Sequence, residues 1–263
     1  MIIMSGTHEQ VLPLIGDHCR NEDIQMKKML RILRQESTES EKYWETYLYE
    51  TDLDTATVAQ ALSEITEENL VEQDQTRPFR PLVWEHSCLQ KKCGACAMVI
   101  NHRPCLACDT RLADCSGETV LIEPMKKFPV IEDLLVDRSV MMNTLKELSV
   151  WFEDEAGQGG EKMAFEASKC LQCGLCLEVC PNFYAGGAFG GMAAMAPLSR
   201  LIAKLPESQR KKISTSYTRG VYEGCGKSLA CQRICPASID MEKLLARSSA
   251  AAIWRRWKSA DRY

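Results

Sequence analysis

At 263 residues, with 45% hydrophobic and 26% charged side chains, the chain can bury one large core or two ordinary ones, and two domains are expected. A net charge of -4 gives no global pull toward polyanions, so nucleic acid is not expected as a partner. No window approaches the ~20 consecutive apolar residues of a spanning helix, the longest weakly polar stretch being Ala185 to Pro197.

Residues 1–23 are polar and aperiodic and read as an N-terminal extension. Their start lacks the charged and apolar regions of a secretory signal and any twin-arginine pair, so a cytoplasmic protein is expected. From Met26 the pattern is that of a hairpin, Met29 to Leu33 against Tyr43 to Tyr49 across a polar turn. A helix follows, with Asp54 or Thr55 as its cap and Val58, Ala59, Leu62 and Ile65 on one face. Pro78 and Pro81 break the chain before a short strand, Leu82 to Trp84. Further strands are expected at Ala97 to Asn101 and Thr119 to Ile122, giving a small mixed sheet with one helix over 24–125. Pro124 to Pro129 reads as a linker. Beyond it, Ile131, Leu134, Leu135, Val140, Met141, Leu145 and Leu148 predict one long helix, and 126–245 carries no further strand signal. The fold class is therefore α+β, a sheet domain followed by an all-α domain, with a basic helix or tail over 246–263.

Fourteen cysteines in a reducing compartment are not expected to form disulfides, and eleven of them fall in tight runs, which points to metal. Cys88, Cys93 and Cys96 form a C-x4-C-x2-C run with Cys108 beyond it, the spacing of plant-type two-iron ferredoxins. Gly94 and Ala95 have little bulk, so this loop can curl around inorganic sulfide. A zinc site is the alternative, disfavoured because structural zinc takes paired C-x2-C knuckles. Cys170, Cys173, Cys176 and Cys180-Pro181 form the bacterial ferredoxin run, in which the last cysteine serves the other cluster. Cys225, Cys231 and Cys235-Pro236 repeat that motif with Ser228 where its second cysteine would stand. Crossed pairing gives a four-iron set of Cys170, Cys173, Cys176 and Cys235, and a second set of only Cys180, Cys225 and Cys231. A three-iron cluster is the simpler expectation there, a serine oxygen holding a fourth iron being the alternative.

These motifs, with Ser87 before Cys88 and the return strand Arg103-Pro104-x-Leu106-Ala107-Cys108, resemble the iron–sulfur subunit of the succinate dehydrogenase and fumarate reductase family over about 26–245. The resemblance implies a β-grasp [2Fe-2S] domain followed by a helical [4Fe-4S]/[3Fe-4S] domain. It also implies a partner flavoprotein with covalent FAD, membrane-anchor subunits with or without haem b, and a quinone as electron acceptor or donor. A peripheral place on the cytoplasmic side of the membrane follows from it. In ubiquinone-using relatives a tryptophan pair follows the Cys-Pro corner and a histidine follows the cysteine matching Cys225. Here Tyr184-Ala185 and Gly226 stand there, so a menaquinone-type site near Pro181, Tyr184 and Gly226 is expected. The Cys-Cys-Gly-type repeats of thiol-linked fumarate reductases are absent, which counts against a soluble enzyme with a non-quinone donor.

Cys19, Cys105 and Cys115 fall outside every run and read as ordinary thiols, and His86 reads as packing beside the first loop. The small-residue run Ala185 to Ala196 suits either a subunit interface or tight internal packing. Lys243, Arg247, Arg255, Arg256, Lys258 and Arg262, with Trp254 and Trp257, suit either an anionic membrane surface or an acidic partner.

Overall fold

A computed structural model describes residues 26–67, 80–151, 160–204 and 210–254. The hairpin forms as expected: β1 (Met26–Arg34) lies antiparallel to β2 (Tyr43–Thr51), with Ile32 opposite Glu45 and Arg34 opposite Tyr43. Alternation puts Leu30, Ile32 and Arg34 of β1, and Glu45, Tyr47 and Tyr49 of β2, on the buried face. Each apolar stripe thus ends in a charge. α1 (Val58–Glu67) covers that face with Ala59, Leu62 and Ile65. Its cap is Thr57, whose Oγ1 accepts from Gln60 N at 3.2 Å, rather than Asp54 or Thr55.

The hairpin β3 (Ala97–Ile100) and β4 (Arg103–Leu106) turns through left-handed Asn101 and His102, and β5 (Thr119–Glu123) completes a five-stranded sheet of order β2-β1-β5-β3-β4. β5 runs parallel to β1 and antiparallel to β3, so the sheet is mixed. Leu82 to Trp84 is extended but joins no ladder. Val83 instead donates its N–H to the Asp133 carboxylate at 3.0 Å and accepts from Leu134 N at 3.1 Å.

The stretch after Pro129 departs from the expected long helix. It forms a second, two-stranded hairpin, β6 (Val130–Glu132) and β7 (Leu135–Val136), and only then α2 (Ser139–Glu147). The physical reason is Asp133, fully buried with φ 47 between the two strands. Its carboxylate accepts from Gln35 N, Val83 N and Arg80 and pairs with Arg34 Nε at 3.0 Å, long-range bonds that a continuous helix would not offer.

The rest is helical: α3 (Glu161–Ser168), α4 (Leu175–Glu178), α5 (Gly191–Lys204), α6 (Arg210–Tyr217) running into a π-helical turn at Thr218–Tyr222, α7 (Ala230–Ile234) and α8 (Met241–Ala252). α3, α5, α6 and α8 share a core built on Met195, Leu198, Tyr217 and Leu244. α8 starts before the expected tail and buries Met241, Leu244, Leu245, Ala251 and Ala252, its N-terminus capped by Asp240, which accepts from Lys243 N at 3.0 Å. Trp254 is exposed, while Arg255 to Tyr263, like Cys19, lie outside the described residues.

The sheet and the helices are not loosely strung. One apolar cluster runs from Leu30 and Ile32 through Met125 and Phe128 to Leu175, Leu177 and Phe183. The stretch read as a linker buries Pro124, Met125 and Phe128 and is bonded to the helical part: Lys126 N and Lys127 N each donate to the Glu178 carboxylate at 3.0 Å, and Lys127 Nζ donates to Cys180 O. Burial on this scale contributes roughly 1.5–3 kcal/mol for each large apolar side chain.

Candidate metal centres

The first cysteine loop spans the gap between Trp84 and β3. Leu89, Lys91 and Gly94 take left-handed φ of 50°, 59° and 77°, and these turns curl the backbone so that amides face sulfur. Gln90 N and Lys92 N each donate to Cys88 Sγ at 3.3 Å, Ala95 N donates to Cys93 Sγ at 3.4 Å, and Lys91 N donates to Cys108 Sγ at 3.3 Å. The amides from Gln90 and Lys92 hold the Cys88 thiol down near 7, whereas burial pushes Cys96, which faces Cys108 and Cys93, up to about 12. Cys88, Cys93, Cys96 and Cys108 therefore share one site. Cys105 turns away from it to accept from Thr110 Oγ1 at 3.3 Å, and His86 stacks on Trp84 with centroids 4.3 Å apart.

The two later runs are a repeat in backbone as well as in sequence. Gln172 and Lys227, two residues after Cys170 and Cys225, have φ of 52° and 56°. Gly174 and Leu229, two residues further on, have φ of 86° and 54°, and a short helix, α4 or α7, starts after each. Glycine meets the left-handed requirement without strain at 174, where a Cβ would lie 3.0 Å from the Phe128 ring. Leu229 meets it at a cost of about 1–2 kcal/mol.

Folding crosses the runs. Cys170, Cys173, Cys176 and Cys235 line one cavity. Burial pushes the Cys173 thiol up to about 11 and that of Cys176 well above its ordinary value. Gln172 Nε2 donates to Cys170 Sγ at 3.2 Å and to Ala193 O at 3.0 Å. A neighbouring cavity is walled by Cys180, Cys225 and Cys231 together with Ser228, and Cys176 borders both cavities. Pro181 and Gly226 line this cavity, that of the third cysteine set. Tyr184 is not on its wall; its ring lies over Gly187 and its side chain is exposed. Asn182 closes the cavity by donating Nδ2 to Gly224 O at 2.7 Å.

The residues fit iron–sulfur groups. Buried thiols held up by desolvation become stable thiolates only with cations among them, and inward amides suit the partial negative charge on sulfur. Among the described residues no three His, Cys, Asp or Glu side chains converge as the ligands of a single ion would. The sulfurs of the second and third sets instead line cavities, the arrangement that a group of several irons requires.

Sequence comparison agrees with this geometry. Residues 29–143 match the model of a 2Fe-2S iron-sulfur cluster binding domain, and residues 166–239 that of a 4Fe-4S dicluster domain. The chain is 33% identical to the succinate dehydrogenase iron-sulfur subunit of Bacillus subtilis over 88% of its own length and 96% of the relative's. It is 30% identical to the fumarate reductase iron-sulfur subunit of Haemophilus influenzae over 64% and 73%. Its fold is similar to a chain of the Mycobacterium smegmatis Sdh1 complex in the apo form, with a TM-score of 0.64, 21% identity, and 86% and 97% of the two chains covered. With 2Fe-2S and 4Fe-4S binding domains in that order and a relative of 33% identity matched over 96% of its length, this chain belongs to the succinate dehydrogenase and fumarate reductase iron–sulfur subunits, electron-transfer components of an oxidoreductase complex.

Proposed function

We propose that this chain connects a partner flavoprotein carrying FAD to a menaquinone-type quinone at membrane-anchor subunits, through a [2Fe-2S], a [4Fe-4S] and a [3Fe-4S] cluster in series. When bound, these clusters supply one-electron transfer at potentials set by their protein surroundings. Cys88, Cys93, Cys96 and Cys108 hold the first, from a β-grasp domain over 24–125. Cys170, Cys173, Cys176 and Cys235 hold the second, and Cys180, Cys225 and Cys231 the third, from the helical domain over 126–245.

The observation that carries this reading is the grouping of cysteines into separate sites, the last with Ser228 on its wall in place of a thiolate. The protein's own work is positional. Inward amides of the first loop stabilise charge on sulfur, and the crossed repeat fixes the second and third sets side by side through Cys176. Pro181 and Gly226 open the third cavity toward the surface, where a quinone headgroup would approach, with Tyr184 beyond its rim. No described helix is long and apolar enough to cross a membrane; the place proposed for the chain is peripheral, on the cytoplasmic face.

Isolation of the native complex through a tag on this chain tests the reading. A flavoprotein should co-purify, and the complex should reduce a menaquinone analogue with succinate, or oxidise its quinol with fumarate. A stable chain with no flavoprotein partner would overturn it.

A further inference from the structure

We propose that Arg138 is a positioning residue that clamps the first cysteine loop onto the second cysteine set and raises the reduction potential of the cluster held there. The proposal rests on the ligand sets of the preceding section. Arg138 caps the start of α2, just past the β6–β7 hairpin. Its Nη1 donates to Gly94 O at 3.2 Å and its Nη2 to Ala95 O at 2.5 Å. Both acceptors lie between Cys93 and Cys96, so the guanidinium fork grips the first loop from behind. Glu85, ahead of that loop in the chain, approaches Nη1 at 3.4 Å.

The far side of the same loop meets the second set. Gly94 is buried with φ 77, and a Cβ there would lie 2.6 Å from Cys173 Cβ and 3.2 Å from Leu171 O. Gly94, whose carbonyl Arg138 holds, is therefore the residue in contact with Cys173. Arg138 is thus bonded to the loop of one centre at the residue that packs on a ligand of the next, which brings its charge close to that ligand.

Two features show that the cation has a role beyond holding carbonyls. Its Nε is buried and has no hydrogen-bond partner among the described residues, an unmet donor on a charged group that is only partly balanced by the exposed Glu85. Iron on four thiolates with inorganic sulfide supplies the missing negative charge. A fixed cation stabilises the more negative, reduced state of such a group over the oxidised one, and so raises its potential. The fork at the same time fixes the separation across which electrons pass between the two centres, a geometry a single ammonium cannot reproduce.

The test uses the whole complex carrying Arg138→Leu or Arg138→Lys. Low-temperature EPR during redox titration gives the potential of the four-iron centre, and its enhancement of two-iron spin relaxation reports their separation. Arg138→Leu should lower the potential and weaken the enhancement with iron and sulfide content unchanged. Arg138→Lys should recover the potential but not the enhancement. Wild-type potential and relaxation in a fully loaded Arg138→Leu complex would overturn the proposal. Should that variant fail to assemble, Arg138→Lys decides, weakened enhancement supporting the clamp and wild-type enhancement overturning it. A wild-type complex with no four-iron centre would instead overturn the ligand sets themselves.

Discussion

Gly94 packs against Cys173 so closely that a Cβ at position 94 would lie 2.6 Å from that of Cys173. The loop of the first cysteine set and the loop of the second are thus in direct contact, and the smallness of one residue sets how near they come. Gly94→Ala should force the loops apart. Left-handed backbone costs an alanine about 1–2 kcal/mol, and overpacking adds ~1–3 kcal/mol. Gly117 has nearly the same backbone, φ 78, but nothing within 4 Å of a Cβ, so Gly117→Ala should carry the backbone cost alone. The rates at which visible cluster absorbance is lost on heating compare the two variants, and equal rates would contradict the close contact.

Asp133 should be the most sensitive acidic residue of the sheet half. It and Arg34 are both fully buried, and burial alone would lower the Arg34 pKa. The hydrogen bond and charge of Asp133, with Glu45 and Tyr47, outweigh that effect and hold it above its ordinary value. Asp133→Asn removes the carboxylate that meets Arg34 Nε while Glu45 still pairs with Nη1, so the fold should be destabilised by about 1–3 kcal/mol. Glu132→Gln breaks only a partly exposed pair with Arg80, 2.9 Å long, and should cost ~0–1 kcal/mol. Denaturant-driven loss of the two-iron spectrum distinguishes them.

These residues also mark where the sequence could and could not be read. Strand alternation in Leu30-Arg-Ile and in Tyr47-Leu-Tyr is a local property and predicted the hairpin, and the repeat legible in the cysteine spacing returns as a repeat in backbone conformation. The β6–β7 hairpin was illegible because Ile131, Leu134 and Leu135 also fit a helical face, and what decides against a helix is Asp133 bonding to Gln35, Arg80 and Val83 far away in sequence. Leu82 to Trp84 read as a strand because its composition suits one, yet Val83 bonds to the Asp133 carboxylate and to Leu134 N instead of a ladder. Arg34 and Arg138 look like surface charges in a one-dimensional pattern, and only the fold reveals their partners.

Gln172 should tune the second centre. Its Nε2 donates to Cys170 Sγ at 3.2 Å, and a hydrogen bond to a ligand sulfur stabilises the reduced state. Gln172→Leu should lower the potential of the four-iron centre while leaving that of the two-iron centre unchanged, as read in one redox titration. A lowered potential at both centres would point to a general change in packing.

Ser228 sits on the wall of the third cavity with Cys180, Cys225 and Cys231. Ser228→Cys supplies a fourth soft ligand and should convert the centre toward four irons, replacing an EPR signal of the oxidised state with one that appears only on reduction. An unchanged signal and iron content would count against the crossed pairing.

The central claim is three centres in series within one chain. Low-temperature EPR of the purified complex during redox titration, with iron and sulfide analysis, tests it most directly. The expected result is an oxidised-state three-iron signal, two further signals on reduction, and nine irons for each chain, about the sum of two, four and three from the assigned cluster types. Two signals only, or a third that appears solely on reduction with a fourth iron at that site, would contradict it.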